Sequence, residues 1–151
     1  MAWTTSELTT LLRWMGFVLA SWSVGLRVTL HVLAASVWVG GQITLAGLVP
    51  VVRGRSPQAL AAVARQFARI AWPAYAVLLA TGVWNVAEIN LATTTFAYRV
   101  VLAVKIAVVL LAGIATLLHQ RSRSTAWTGI WGAVAALSSV AALTLGVFLG
   151  S

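Results

Sequence analysis

Four stretches of apolar residues constrain this chain more than any other feature. They run from about Val28 to Val52, Ile70 to Val86, Val100 to Leu118 and Trp127 to Leu149, and a membrane span needs about 20 such residues. Charged residues make up 8% of the 151 and apolar residues 61%. A soluble domain carries about 25% charged residues, so this chain has too few to build a water-facing surface. The expectation is an all-α, integral membrane four-helix bundle whose first partner is the lipid bilayer. The second stretch is short if it starts at Ile70, but "ALAAVARQFAR" ahead of it can extend the same helix into the interface. Pro73, in "IAWPAY", would kink that helix or sit near its first membrane turn.

Residues 7 to 22, "ELTTLLRWMGFVLASW", are apolar only from Trp14 to Trp22, which is too short to span. An arginine followed by a short apolar run also resembles a signal peptide. The segment reads as an amphipathic helix on the membrane surface or as the lead-in to the first span, with a fifth span as the lesser alternative. The chain divides accordingly into a short N-terminal amphipathic or interfacial helix within residues 1–22 and a four-span membrane domain over residues 23–151.

The formal net charge is +8, but the basic residues are dispersed between apolar segments. Nucleic-acid binding needs a clustered basic patch, so no nucleic acid is expected as a partner. Arginines beside anionic headgroups are the better reading. Arg53 and Arg55 follow the first span, with Arg65 and Arg69 just beyond, and Arg121 and Arg123 follow the third. In a four-span chain both loops lie on one side. On the other side Arg13, Arg27, Arg99, Glu7 and Glu88 nearly cancel. The positive-inside rule then puts the arginine loops in the cytoplasm and both termini outside a cytoplasmic (inner) membrane. With no cysteine there is neither a disulfide nor a thiolate metal site, and redox compartment is not legible. Ser36 to Gly40 and Gly146 to Gly150 are small-xxx-small steps that let helices approach closely. They fit a homodimer seam or the chance content of any Gly- and Ala-rich span; a homo-oligomer or a membrane-complex partner is the expectation.

Ionisable and polar groups inside a span are functional-site hypotheses by default. They are His31, Gln42, Thr81, Asn85, Glu88 and Lys105, with Arg27 at the mouth of the first span. Arg27, His31 and Trp38 share a face of that span, and Thr81, Asn85 and Glu88 share one of the second. The alternating directions of the spans let these groups and Lys105 meet in one pocket in the outer half of the membrane. His31 is expected there as a ligand or proton carrier, or as a structural hydrogen-bonder. Lys105 would snorkel toward the headgroups, or pair with Glu88 or an anionic group. His119 lies about 21 Å beyond Lys105 along its helix, so it is expected to end the span and not to share a metal with His31.

"LHVLAASVWVGGQI" resembles the signature of the CopD family of membrane proteins, in which a histidine is followed by a tryptophan and paired glycines: here His31, Trp38, Gly40 and Gly41. "RQFARIAWPAYAVLLATGVWN" resembles the family's second-span pattern at Phe67, Arg69, Ala71, Thr81 and Gly82, and "YRVVLAVKIAVVLL" its lysine-bearing helix at Lys105. The resemblance covers about residues 26 to 123. It implies copper handling, by binding or transport, at a bacterial-type cytoplasmic membrane. A similar arrangement occurs in HemJ-type protoporphyrinogen oxidases, which bind haem b. The match there is weaker, because no histidine follows the lysine at the expected interval; Thr116 stands near that position.

The two cofactors ask for different donors. Cu(I) prefers thiolate and thioether, and the only sulfur here belongs to Met1 and Met15. Cu(II) would draw on His31 and Glu88 as metal ligands. Haem b needs one axial histidine, His31, with Arg27 or Lys105 toward its propionates and tryptophans against the macrocycle. A second axial ligand would come from Met15 or a symmetry-related protomer. The cofactor-binding set is therefore His31, Arg27, Trp38, Lys105, Thr81 and Asn85. Paired carboxylates, a nucleophile beside a base and a phosphate-binding glycine loop are all missing. An enzyme is thus less expected than a binding protein, and if there is one it is a haem-dependent oxidoreductase. The third reading, from another class, is a structural accessory subunit whose polar residues only fix helix packing.

Overall fold

The computed structural model describes residues 4–150, without the side chains of residues 17–21 and 57. Met1 falls outside the described residues. The described chain is helical almost throughout and has no strand. Its order is α1 (Thr5–Ala35), a π-helical segment (Ser36–Gly40), α2 (Gly41–Arg55), α3 (Pro57–Ala87), a short 3-10 turn (Leu91–Thr93), α4 (Phe96–Arg121) and α5 (Thr125–Gly150). Four helical stretches are long and apolar enough to cross a membrane: Trp22–Arg55, Gln58–Ala87, Phe96–Arg121 and Thr125–Gly150. The architecture is the expected all-α bundle of a multi-pass membrane protein.

Local chemistry sets the helix starts. Thr4 and Glu7 form a reciprocal capping box, with Thr4 N–H donating to Glu7 Oε2 at 2.8 Å and Glu7 N–H to Thr4 Oγ1 at 3.3 Å. Two of the helix's orphan donors are satisfied in this way. Ser56 breaks the rod with extended backbone (φ −158°, ψ 103°), and its Oγ accepts from Ala59 N–H at 3.2 Å. Pro57 follows in the first turn, where a missing N–H costs nothing. Thr95 caps α4 in the same manner, accepting from Tyr98 N–H at 3.2 Å. Pro73 lies inside α3, which runs on through it from Pro57 to Ala87.

Residues 5 to 22 form the first part of α1 and continue without a break into the first span. The rod from Thr5 to Arg55 would measure about 76 Å at 1.5 Å per residue, against a hydrocarbon core of about 30 Å. The apolar Leu8, Leu11, Leu12, Trp14 and Met15 on its first turns are all exposed.

Packing follows the logic of a membrane interior. The buried apolar set is dominated by Ala34, Ala71, Ala112, Ala115 and Ala135, joined by Trp38, Val39 and Tyr75. Large residues such as Val83, Leu137 and Phe148 point outward. Between helices in lipid there is no hydrophobic drive toward the interior, so small residues that let backbones approach line the seams. α1 and α2 pack along α3, and α4 packs along α5, giving two antiparallel pairs. The pairs are tied together at the level of the π-helical segment, where Trp38 rests on Tyr75 (ring centroids 4.5 Å apart) and Trp72 (5.8 Å) within the first pair and reaches Ser139 of α5, while the Tyr75 hydroxyl reaches Val109 of α4. Two glycines make this possible. A side chain at Gly41 would overlap the Phe67 ring, and one at Gly113 would overlap the Tyr75 ring and hydroxyl.

Candidate functional site

The first helix pair builds the site from its antiparallel register. His31 and Thr81 stand equidistant from the turn at Ser56, so they face each other, and His31 Nδ1 lies 2.8 Å from Thr81 Oγ1. Thr81 is buried, with 5% of its surface exposed. Its hydroxyl has one proton and two nearby backbone acceptors, Val77 O at 2.7 Å and Leu78 O at 3.2 Å. A hydroxyl that donates to a carbonyl one turn back has only lone pairs left for a neighbour. Thr81 therefore accepts from Nδ1–H, and the neutral ring keeps its lone pair on Nε2. Gly82 follows at the ring's edge, where a Cβ would stand 3.6 Å from His31 Cε1.

One turn toward the helix start, Arg27 is largely buried, with 12% of its side chain exposed. Its Nη1 lies 3.7 Å from Glu88 Oε1, a loose ion pair in which Glu88 is 58% exposed. Trp84 Nε1–H donates to the same Glu88 oxygen at 3.2 Å, and its ring lies under the guanidinium at 5.9 Å. Arg27 Nε is buried without a hydrogen-bond partner. On the second pair, the Lys105 ammonium lies against Gly146, where a Cβ would stand 3.1 Å from Nζ. Gly146 is nearer the Arg27 end than the residue level with Lys105 on α5. The stem thus climbs along the helix as a snorkelling lysine does.

The structure thus brings together His31 with Thr81 and Arg27 with Glu88, and packs Lys105 along α5 against Gly146. It does not join Glu88 to His31 by an ion pair or hydrogen bond among the described residues. Asn85 is half-buried one turn beyond Thr81. Trp38 lies beneath His31 and is almost fully buried, but its Nε1–H is committed to Ser139 Oγ at 3.0 Å. Gln42 Nε2 donates to the same hydroxyl at 3.2 Å, and Ser139 donates to Ala135 O at 2.7 Å. His119 belongs elsewhere, as expected. Its Nδ1–H donates to Thr128 O at 2.8 Å, across the α4–α5 turn, and a Cβ at Gly132 would stand 3.0 Å from that nitrogen.

Several contributors were not legible in advance. Ser139 and Tyr75, whose hydroxyl donates to Val109 O at 2.9 Å, carry no motif. Gly113 opposite Tyr75 was the available signal for the tyrosine, and Ser139 had none. The small-xxx-small steps also serve other purposes than a bare seam, since Ser36 to Gly40 is the π-helical segment itself and Gly146 receives Lys105. Among the described residues no group of three or more His, Asp or Glu side chains is placed to hold a metal ion. No family model matches the chain, and neither a curated protein nor a solved structure does.

Proposed function

We propose that the protein is a membrane protein of CopD-like type that handles a metal through His31, with the arginine loops in the cytoplasm. One observation carries this reading: His31 Nδ1 lies 2.8 Å from a Thr81 hydroxyl that donates its own proton to Val77 O, so that Thr81 accepts from Nδ1–H. Metal-binding histidines are oriented in this way, one ring nitrogen donating to a fixed acceptor and the other presenting its lone pair. Copper is the metal the resemblance implies. With one imidazole and no soft ligand beside it, copper fits as cargo passing a single ligand better than as a resident ion.

The same observation favours a second reading, haem b, whose porphyrin supplies four of the iron's ligands and asks one axial histidine of the chain. His31 would hold it, and the group when bound supplies one-electron chemistry. The chain's own part is to fix the imidazole through Thr81 and to keep water away with the surrounding apolar helices.

The test is an absorbance spectrum and metal analysis on one detergent-purified sample, wild type beside His31→Ala. Stoichiometric copper lost on substitution supports the first reading, and a Soret band lost on substitution supports the second. Metal retained by His31→Ala contradicts both. If wild type carries no metal, and none after reconstitution with copper or haemin, the polar residues serve packing and the chain is an accessory subunit.

A further inference from the structure

The whole chain has two carboxylate side chains, Glu7 and Glu88. Glu7 is spent on the α1 cap, and Glu88 is shared between Arg27 and Trp84. Arg27 and Lys105, with Arg99 in the first turn of α4, thus stand at the His31 end of the bundle against one mostly exposed carboxylate. Lys105 has no carboxylate partner among the described residues, although it sits within a span. Arg27 keeps a buried Nε that bonds to nothing. A buried or half-buried charge without a partner is expensive, and the missing partner is the natural place to look for a ligand.

Glycines flank the unpaired groups. Gly146 lies against the ammonium and Gly82 against the imidazole, so neither position carries a side chain that could pair with these groups. The side-chain bonds between the two helix pairs, Trp38 and Gln42 to Ser139, Tyr75 to Val109 and Trp72 to Gln120, all lie beyond this level. A hydrated ion would have to leave water to reach Lys105, at a cost that grows with depth. An anion that brings an apolar chain with it instead gains by entering.

We propose that Arg27 and Lys105 bind an amphipathic anion, a carboxylate or phosphate headgroup carrying an apolar tail. The source is either a membrane lipid or a single-chain anion. Haem, if His31 holds it, would bring its own propionates to these cations, so the binding is tested on metal-free and haem-free His31→Ala protein as well as on wild type.

The measurement is thermal stability in zwitterionic micelles with four additions: phosphatidylglycerol, oleate, phosphatidylcholine and inorganic phosphate. A ligand that binds only the folded state raises Tm with concentration. The expected result is a rise with phosphatidylglycerol, oleate or both, and none with phosphatidylcholine or inorganic phosphate. Phosphatidylglycerol alone identifies a lipid source, and an equal or larger effect of oleate identifies a single-chain anion. Lys105→Gln and Arg27→Gln should each lose most of the rise, while Lys105→Arg keeps it, as does Arg53→Gln at the opposite end of the bundle. An equal rise with phosphatidylcholine or with inorganic phosphate would overturn the proposal. So would a rise that survives both glutamine variants. If those variants do not fold, the four additions to wild type decide it alone.

Discussion

The two ends of this bundle treat polar groups in opposite ways. At the level of the π-helical segment and beyond it, each polar side chain that defines the packing has its partner. Trp38 and Gln42 donate to Ser139, Ser139 to Ala135 O, Tyr75 to Val109 O, Trp72 to Gln120 and His119 to Thr128 O. At the His31 end the inventory does not balance. Arg27 has a loose ion pair and an orphaned Nε, Lys105 has no carboxylate, and His31 has one nitrogen engaged. A satisfied network fixes a structure, whereas an unsatisfied one inside a membrane persists where something else completes it. The contrast separates scaffold from site within one chain of 151 residues.

Substitutions can break this comparison, and the largest effect belongs to the scaffold. Trp38→Ala removes the most deeply buried large side chain and the platform of Tyr75 and Trp72. Loss of a buried aromatic costs about 3–5 kcal/mol, which reversible unfolding in micelles would read. A cost below that of any His31-end variant would invert the assignment. Gly113→Val comes next, because its side chain would occupy the place of the Tyr75 hydroxyl. Overpacking of this kind costs about 1–3 kcal/mol, and Gly129→Val, at a position with open space around it, is the control.

Ser139→Ala strands the donors of both Trp38 and Gln42. Hydrogen bonds between helices in membranes average about 0.6 kcal/mol and reach about 1.7, so a loss of about 1 kcal/mol is expected in the same unfolding measurement. Lys105→Gln sharpens the contrast through its sign. In zwitterionic detergent, without an anionic ligand, removal of an uncompensated charge should leave stability unchanged or raise it. A loss as large as that of Ser139→Ala would place Lys105 with the scaffold.

The smallest effect lies at the N-terminus. The backbone N–H and hydroxyl of Thr4 hold the Glu7 carboxyl below its ordinary value of 4.5. A depressed carboxylate contributes stability that is present above its unfolded value and lost as pH falls through its folded one. The first turn of α1 should therefore lose amide-exchange protection on acidification below 4.5, without change in the spans. Protection that is flat across that range would remove the capping box from the account.

Much of the fold was legible because hydrocarbon imposes one dominant rule. Four apolar runs of sufficient length specify four helices, and the structure places each run inside a single helix or, for the first, inside one continuous rod. The meeting of His31 with Thr81 was legible too, since antiparallel neighbours match depths through their turn. What could not be read is what depends on a neighbour's backbone. The π-helical segment at Ser36–Gly40 has no sequence signature, yet it lies between His31 and the Gln42–Ser139 contact. Ser139 looks like any small residue in a span until Trp38 and Gln42 both point at it. The expected pairing of His31 with Glu88 as metal ligands rested on their shared end of the bundle. In the structure Glu88 lies with Arg27 and Trp84, which stand at its own level, and His31 with Thr81.

The central claim is that His31 is held as the Nδ1–H tautomer with Nε2 open. Nitrogen-15 NMR of histidine-labelled, metal-free protein in micelles at neutral pH tests it most directly, with His119→Gln used to assign the two rings. The account predicts a protonated, pyrrole-type Nδ1 and a pyridine-type Nε2 for His31, and a loss of that preference in Thr81→Val. A protonated Nε2 in wild type, or a tautomer indifferent to Thr81, would contradict it.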